Sequence, residues 1–251
     1  MAHWPIYLLL TATALVAGTQ NALAGGGSFI TFPALILFGM GARAANITST
    51  VALFPGQVAT GLAGRSQVSG AASLSFRTLT TLSLIGGILG ALLLLATPAR
   101  FFERLVPFLV LFATSVFAWG SFFHKPTPAD APLSPVRAGA AQLAIAIYGG
   151  YFGGGIGMLM LAALTLAGLP VRKAAATKNV LAAVMNASAV AIFAFSHDVH
   201  WDAALAVAVG AIAGGQFGAW LMLRVNERTL RVGVVVIGVL LTVGLFVRAY
   251  G

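Results

Sequence analysis

The chain has no cysteine and very little charge, with 14 Lys+Arg and 5 Asp+Glu among 251 residues. The missing cysteine excludes disulfides, thiolate nucleophiles and cysteine-ligated zinc or iron–sulfur centres. Charged residues make up 8% of the chain, against about 25% in a soluble domain. A surface that meets water on every side is therefore excluded. Carboxylates are scarcest of all: Glu103, Asp130, Asp198, Asp202 and Glu227 fall in predicted loops or at span ends. No predicted span carries a carboxylate or a histidine in its middle. Proton relays and cation sites in membranes use such groups, so a carboxylate-based proton or sodium pump is disfavoured. The Gly-x-x-x-x-Gly-Lys-Ser/Thr phosphate loop is also absent, which excludes ATP hydrolysis of that kind by this chain.

What the chain does have is apolar sequence, 59% of it, with a mean hydropathy of +0.98. Hydrophobic segments cover 5–40, 44–65, 79–97, 101–123, 138–168, 172–195, 201–223 and 229–249. Each is long enough to cross about 30 Å of hydrocarbon as a helix. Continuous runs in place of alternation exclude a β-barrel. The fold class is all-α, a polytopic membrane protein. A net charge of +9 would suggest nucleic acid in a soluble protein. Here the basic residues stand singly between spans, as the positive-inside rule expects. The expected partner is the lipid bilayer, with no nucleic acid. Residues 6–16 and Ala22-Leu23-Ala24 imitate a signal peptide, but Met1 to Pro5 carries no Lys or Arg. The segment therefore reads as retained in the mature protein.

Two segments are too long for one crossing and short for two, at 36 and 31 residues. Each is interrupted by a triplet, Gly25-Gly26-Gly27 or Gly153-Gly154-Gly155. Glycine costs about 1 kcal/mol against alanine in a helix, so a triplet predicts a break. The triplets open an internal repeat. With a one-residue gap at Ala167, Ala34 meets Ala162, Gly39 meets Gly168 and Arg43 meets Arg172. Ala45 then meets Ala174, Thr48 meets Thr177 and Val51 meets Val180. The chain is read as two halves, 1–124 and 137–251, joined by a polar, Pro-rich linker at 125–136.

Counting crossings gives the hand of the repeat. If each glycine-broken segment is a re-entrant hairpin, each half has three spanning helices and the repeats are inverted. Ten basic residues then share the linker's side against four on the other. If every long segment crosses once, the repeats are parallel and the split is 9 to 5. Inverted repeats obey the positive-inside rule slightly better. Either arrangement puts both termini outside a bacterial inner membrane.

Broken helices at membrane depth free backbone groups that lipid cannot satisfy, so they must face protein or a wet cavity. Where two such breaks meet near the midplane, helix N-termini can hold an anion. Polar residues gather around both triplets: Gln20, Asn21, Thr48, Ser49, Thr50 and Gln57 in the first half, Thr177, Lys178, Asn179 and Asn186 in the second. Neutral donors plus one cation suit a partly dehydrated oxyanion. Against this, glycines also permit close helix packing, and Ser or Thr often satisfies its own helix. Lys178 could equally snorkel to the interface. Arg43 and Arg172 start matching helices and are candidate guards of the pathway mouths, or ordinary interfacial anchors.

The run His197-Asp198-Val199-His200-Trp201-Asp202 admits a competing reading. Its histidines and aspartates could bind a transition metal in a membrane-embedded enzyme. The plainer reading is an outer loop with Trp201 as interface anchor. No cofactor is otherwise expected.

GGGSFITFPALILFGMGARAANITST and GGGIGMLMLAALTLAGLPVRKAAATKN together resemble the TauE/SafE sulfite exporter family. That resemblance covers essentially the whole chain. It implies export of a small sulfur-containing anion such as sulfite, sulfoacetate or a related organosulfonate. It also implies that the triplets and the 48–50 and 177–179 stretches line the site. Two features depart from it: Leu161 stands where the first half has Pro33, and the absence of cysteine leaves only non-covalent passage. A passive anion channel uses the same groups and is separated from a carrier only by flux. The chain is short for an alternating-access carrier and a homodimer would enlarge it, though no Gly-x-x-x-Gly signal names the interface.

Overall fold

The computed structural model describes residues 4–24, 27–123, 133–221 and 227–251. Ten α-helices and no strand are found among them. The long apolar segment at the start gives α1 (Trp4–Ala24) and α2 (Ser28–Leu37), and the next gives α3 (Ala42–Gly64). Then come α4 (Phe76–Ala96) and α5 (Ala99–Ala118), the latter running into a π-helical turn at Trp119–Phe123. The second long segment gives α6 (Pro135–Tyr151) and α7 (Ile156–Leu166), followed by α8 (Val171–Phe193), α9 (Trp201–Leu221) and α10 (Glu227–Tyr250).

Local chemistry sets several of these ends. Ser134 caps α6 by accepting from the Arg137 N–H at 3.4 Å, with Pro135 in the first turn, where its missing N–H costs nothing. Gly39 and Gly168 end α2 and α7 in the same left-handed conformation, at φ +91° and +92°. In both, the glycine N–H and the next N–H fold back on the helix: Gly39 to Ile36 and Met40 to Leu35, Gly168 to Thr165 and Leu169 to Leu164. Such caps favour glycine because a Cβ is disfavoured there.

By length and composition, α4, α8, Ala99–Phe122 and Arg231–Tyr250 can each cross a bilayer. Their apolar side chains are exposed in quantity, with Leu92 at 50%, Phe101 at 59% and Leu240 at 67%. Such surface needs hydrocarbon as its solvent.

The chain forms two compact units, each drawn from segments on both sides of the linker. The first comprises residues 1–56, 97–115 and 193–251, the second 57–96 and 116–192.

In the first unit α1 packs along α9. Their contacts keep one register. Tyr7 donates to the Asp202 carboxylate, Thr11 Oγ1 to Ala206 O at 3.1 Å, and Thr19 Oγ1 to Gly214 O at 3.0 Å. All three pairs are 195 residues apart, so α1 and α9 run parallel. Glycines allow the approach: a Cβ on Gly18 would lie 2.1 Å from Ala211 O, and one on Gly214 2.0 Å from Leu15 O.

In the second unit α4 packs along α6 in the same manner. Gln142 Nε2 donates to Ser83 Oγ at 2.8 Å, and both residues are buried. A Cβ on Gly86 would lie 2.4 Å from the Ala146 Cβ, and one on Gly90 2.1 Å from Ile147 O. Numbers rise together along the two helices, so this pair is parallel too. Gly86-x-x-x-Gly90 and Gly210-x-x-x-Gly214 are thus used within the chain, as small residues are in membrane bundles.

Candidate functional site

Each unit brings part of the predicted polar set together. In the first, the Gly27 N–H donates to Asn21 Oδ1 at 3.3 Å, tying the end of α1 to the start of α2. No side chain fits at Gly27, because a Cβ would lie 2.9 Å from Ala17 O. Thr31 and Ser49 share a buried hydrogen bond of 2.7 Å between their hydroxyls, joining α2 to α3. Thr31 also reaches Gly27 O at 3.3 Å. Gln20 and Asn46 are buried nearby in sequence on α1 and α3. Thr50 donates to Asn46 O at 2.9 Å, within its own helix. Gly25 and Gly26 lie outside the described residues.

At the start of α3, Arg43 forms an ion pair with Asp198 at 2.9 Å and donates to Thr97 O at 2.8 Å. The Thr48 hydroxyl, fully buried, accepts from the His200 N–H at 3.2 Å and faces Asp198 O at 3.4 Å. The beginnings of α1, α3 and α9 therefore lie at one end of this unit. The chain leaves that end by α1 and has returned to it by Arg43.

The second unit repeats the plan. Leu133, just before α6, donates its N–H to Leu166 O at the end of α7. The chain thus leaves one end by α6 and returns by α7. Between them, Gly153 and Gly155 adopt φ +82° and +73°, and the Tyr148 hydroxyl donates to Gly154 O at 2.8 Å. The Thr177 hydroxyl, fully buried, accepts from the Ser69 N–H at 3.1 Å. Thr48 and Thr177, aligned in the repeat, thus do equivalent work. Each fastens the loop that leads into a helix of the parallel pair, α9 for Thr48 and α4 for Thr177.

Five further predicted residues belong to this unit. Asn186, buried, donates through Nδ2 to Gln57 Oε1 at 2.5 Å. Lys178 is part-buried on α8. Its Nζ lies 3.7 Å from where a Cβ on Gly157 would stand, in the first turn of α7. No carboxylate among the described residues pairs with it. A part-buried ammonium beside a helix N-terminus, both positive, is a local excess of charge that an anion would relieve. Asn179, the next residue, is part-buried, whereas Arg172 is exposed at the start of α8.

The metal reading finds no support. Among the described residues no three His, Asp or Glu side chains are grouped to hold an ion. In the His197–Asp202 run, His197 and His200 are exposed, while Asp198 pairs with Arg43 and Asp202 with Tyr7. Sequence reasoning names Asp198 and Asp202 only as metal-ligand candidates and misses their pairings, because partners 155 or 195 residues apart leave no mark in local spacing; it also misses Tyr148. The glycine pairs four apart on α4 and α9 were a usable signal for close packing.

Comparison with known proteins adds the family. The model of the family described as Sulfite exporter TauE/SafE matches residues 10–245. A "Probable membrane transporter protein" of Haemophilus influenzae is 28% identical over 242 residues, 93% of this chain and 92% of the relative. "Probable membrane transporter protein YfcA" of Escherichia coli (strain K12) is 27% identical over 250 residues, 97% of this chain and 90% of the relative. "Probable membrane transporter protein ORF9" of a Sinorhizobium species is 29% identical over 253 residues, covering 94% and 90%.

Proposed function

The chain belongs to the TauE/SafE sulfite exporter family and is a membrane transporter, and we propose that it exports a small anion of the sulfite, sulfoacetate or organosulfonate class. The observation that carries this reading is the Lys178 ammonium, which pairs with no carboxylate among the described residues and faces Gly157 in the first turn of α7. Anion recognition there combines one cation with helix N–H groups, and the left-handed Gly153 and Gly155 before α7 carry no side chain to stand over them. Asn179, Thr177 and the Gln57–Asn186 pair add neutral polar groups in the same unit. Gln20, Asn21, Gly27, Thr48, Ser49 and Thr50 supply the corresponding set in the first unit.

The proposed topology is two inverted repeats, 1–124 and 137–251, in an inner membrane with both termini outside. Three observations support it. Chain direction returns to its starting end across α1–α2 and again across α6–α7. Gly39 and Gly168 form the same cap, and Thr48 and Thr177 anchor equivalent loops. A hairpin followed by three crossings per half makes the second half inverted. An anion leaving an inside-negative cell gains about 2.3 kcal/mol per charge per 100 mV, so the potential alone can drive export. A homodimer is part of the proposal and is tested by the mass of the purified protein.

The test is substrate protection. Purified protein in detergent is melted against sulfite, sulfoacetate, carboxylates and phosphate at matched ionic strength. A ligand at a hundredfold excess over its Kd stabilises by about 2.7 kcal/mol. Selective stabilisation by a sulfur oxyanion, lost in Lys178→Met while that variant still melts cooperatively, is the expected result. A wild-type melt that no sulfur oxyanion shifts would overturn the substrate class.

A further inference from the structure

A second basic site lies in the first unit, at the start of α5 and the end of α10. A cleft of about 390 Å³ is lined by Arg100 and Arg104 from α5, Arg248 from α10, and the single acid Glu103. Its walls include the buried Val106 and Leu245. Three guanidinium groups face one carboxylate, and none of these four side chains forms an ion pair or hydrogen bond among the described residues. The four charged side chains sum to +2, and among the described residues no other charge pairs with them. Arg100, Glu103 and Arg104 fall in the first two turns of α5, where the helix N-terminus is itself positive and cations are disfavoured. Arg248 sits in the last turn of α10, the end of a helix that favours a cation.

Arginine presents a planar fork that matches tetrahedral oxyanions, and its fixed charge persists at any physiological pH. The volume is within the range of small-ligand sites. Apolar walls below a basic rim suit a molecule with an anionic head and an apolar body. Exposed Phe101 and Phe108 flank these residues on α5, giving the rim a hydrocarbon-facing neighbour. We propose that Arg100, Arg104 and Arg248 bind a phosphate-class oxyanion, carried either by an anionic lipid headgroup or by a free anion. Glu103 limits how tightly it is held.

The experiment uses the full-length chain in an uncharged maltoside detergent, melted at matched ionic strength with two probes. One is dihexanoyl phosphatidylglycerol, the other inorganic phosphate. Stabilisation by the lipid alone assigns the headgroup as source, and equal stabilisation by phosphate assigns the free anion. Either result, with affinity falling roughly tenfold for each arginine changed to glutamine, supports the site. Glu103→Gln, which removes the opposing charge, should tighten binding of the same probe. This measurement does not depend on the arginine variants remaining folded. The proposal is overturned if neither probe raises the wild-type melting temperature. It is equally overturned if the Arg100→Gln/Arg104→Gln/Arg248→Gln protein is stabilised as much as wild type and Glu103→Gln changes nothing. Loss of sulfur-oxyanion protection in Lys178→Met concerns a different unit, so the two readings can fail separately.

Discussion

Gly214 and Gly215 are neighbours on α9 with the same backbone and the same gain in helix propensity when changed to alanine. Only their surroundings differ. A Cβ on Gly214 would lie 2.0 Å from Leu15 O and 2.7 Å from Leu15 C, whereas one on Gly215 meets nothing within 4 Å. Contacts below 3.0 Å are essentially never found for a Cβ, so Gly214→Ala must push α9 away from α1 by about 1 Å. The Thr19–Gly214 hydrogen bond, now 3.0 Å long, cannot survive such a shift, and the 3.1 Å Thr11–Ala206 bond is strained with it. Overpacking costs about 1–3 kcal/mol, and each interhelical hydrogen bond in a membrane contributes about 0.6 kcal/mol. The sum is about 2–4 kcal/mol, and at roughly 2–4 °C per kcal/mol it is a fall of several degrees or more. Gly215→Ala should be neutral or gain up to about 1 kcal/mol. Thermal melts of both variants, purified side by side in one detergent, read the difference directly. If the two melt alike, glycine at 214 is not there for helix approach and the account of the α1–α9 pair is wrong.

The two aligned threonines give a second contrast. Thr48→Val leaves the His200 N–H of a part-buried hydrogen bond without its acceptor and should cost about 1–3 kcal/mol; Thr177→Val should do the same through Ser69. Thr50→Val, which loses only a bond to its own helix, should change the melt far less. The Arg43–Asp198 pair, with side chains 22% and 26% exposed, should show a coupling of about 1 kcal/mol in a double-mutant cycle of Arg43→Gln and Asp198→Asn. That coupling should shrink as salt is raised, and a cycle with no coupling would remove the clamp from the fold's account.

Much of the architecture is legible in the residues. Every apolar segment read from the sequence contains helix, and the two overlong ones each contain two helices. Gly39 and Gly168, aligned by counting alone, carry the same left-handed cap. The candidate residues are legible by type, while their partners in the fold are not. Thr48 and Thr177, which the sequence aligns, each hold a loop backbone through the hydroxyl. Thr50 satisfies its own helix, and Asn21 closes a turn. A hydroxyl on a helix looks the same in sequence whether its partner is a ligand, a loop or the preceding turn.

What the sequence determined by itself is the class of solvent and the grain of the chain. Apolar runs demand lipid, and the two runs too long for one crossing predict more than one helix each, as found. Those conclusions rest on composition and on spacing within one helix, which the chain carries locally. Tertiary structure alone decided which helices meet. The parallel pairs α1–α9 and α4–α6 join segments on opposite sides of the linker, and the sequence does not say which apolar helix will lie against which. Their register comes from glycines that let backbones touch and from hydroxyls that reach a neighbour's carbonyl. The same holds for charge. Arg43 acquires Asp198 from 155 residues away, while Arg100, Arg104 and Arg248 converge on a cleft whose one carboxylate is Glu103. Long-range pairing is set by packing, because only in the folded chain do such charges come within reach of one another.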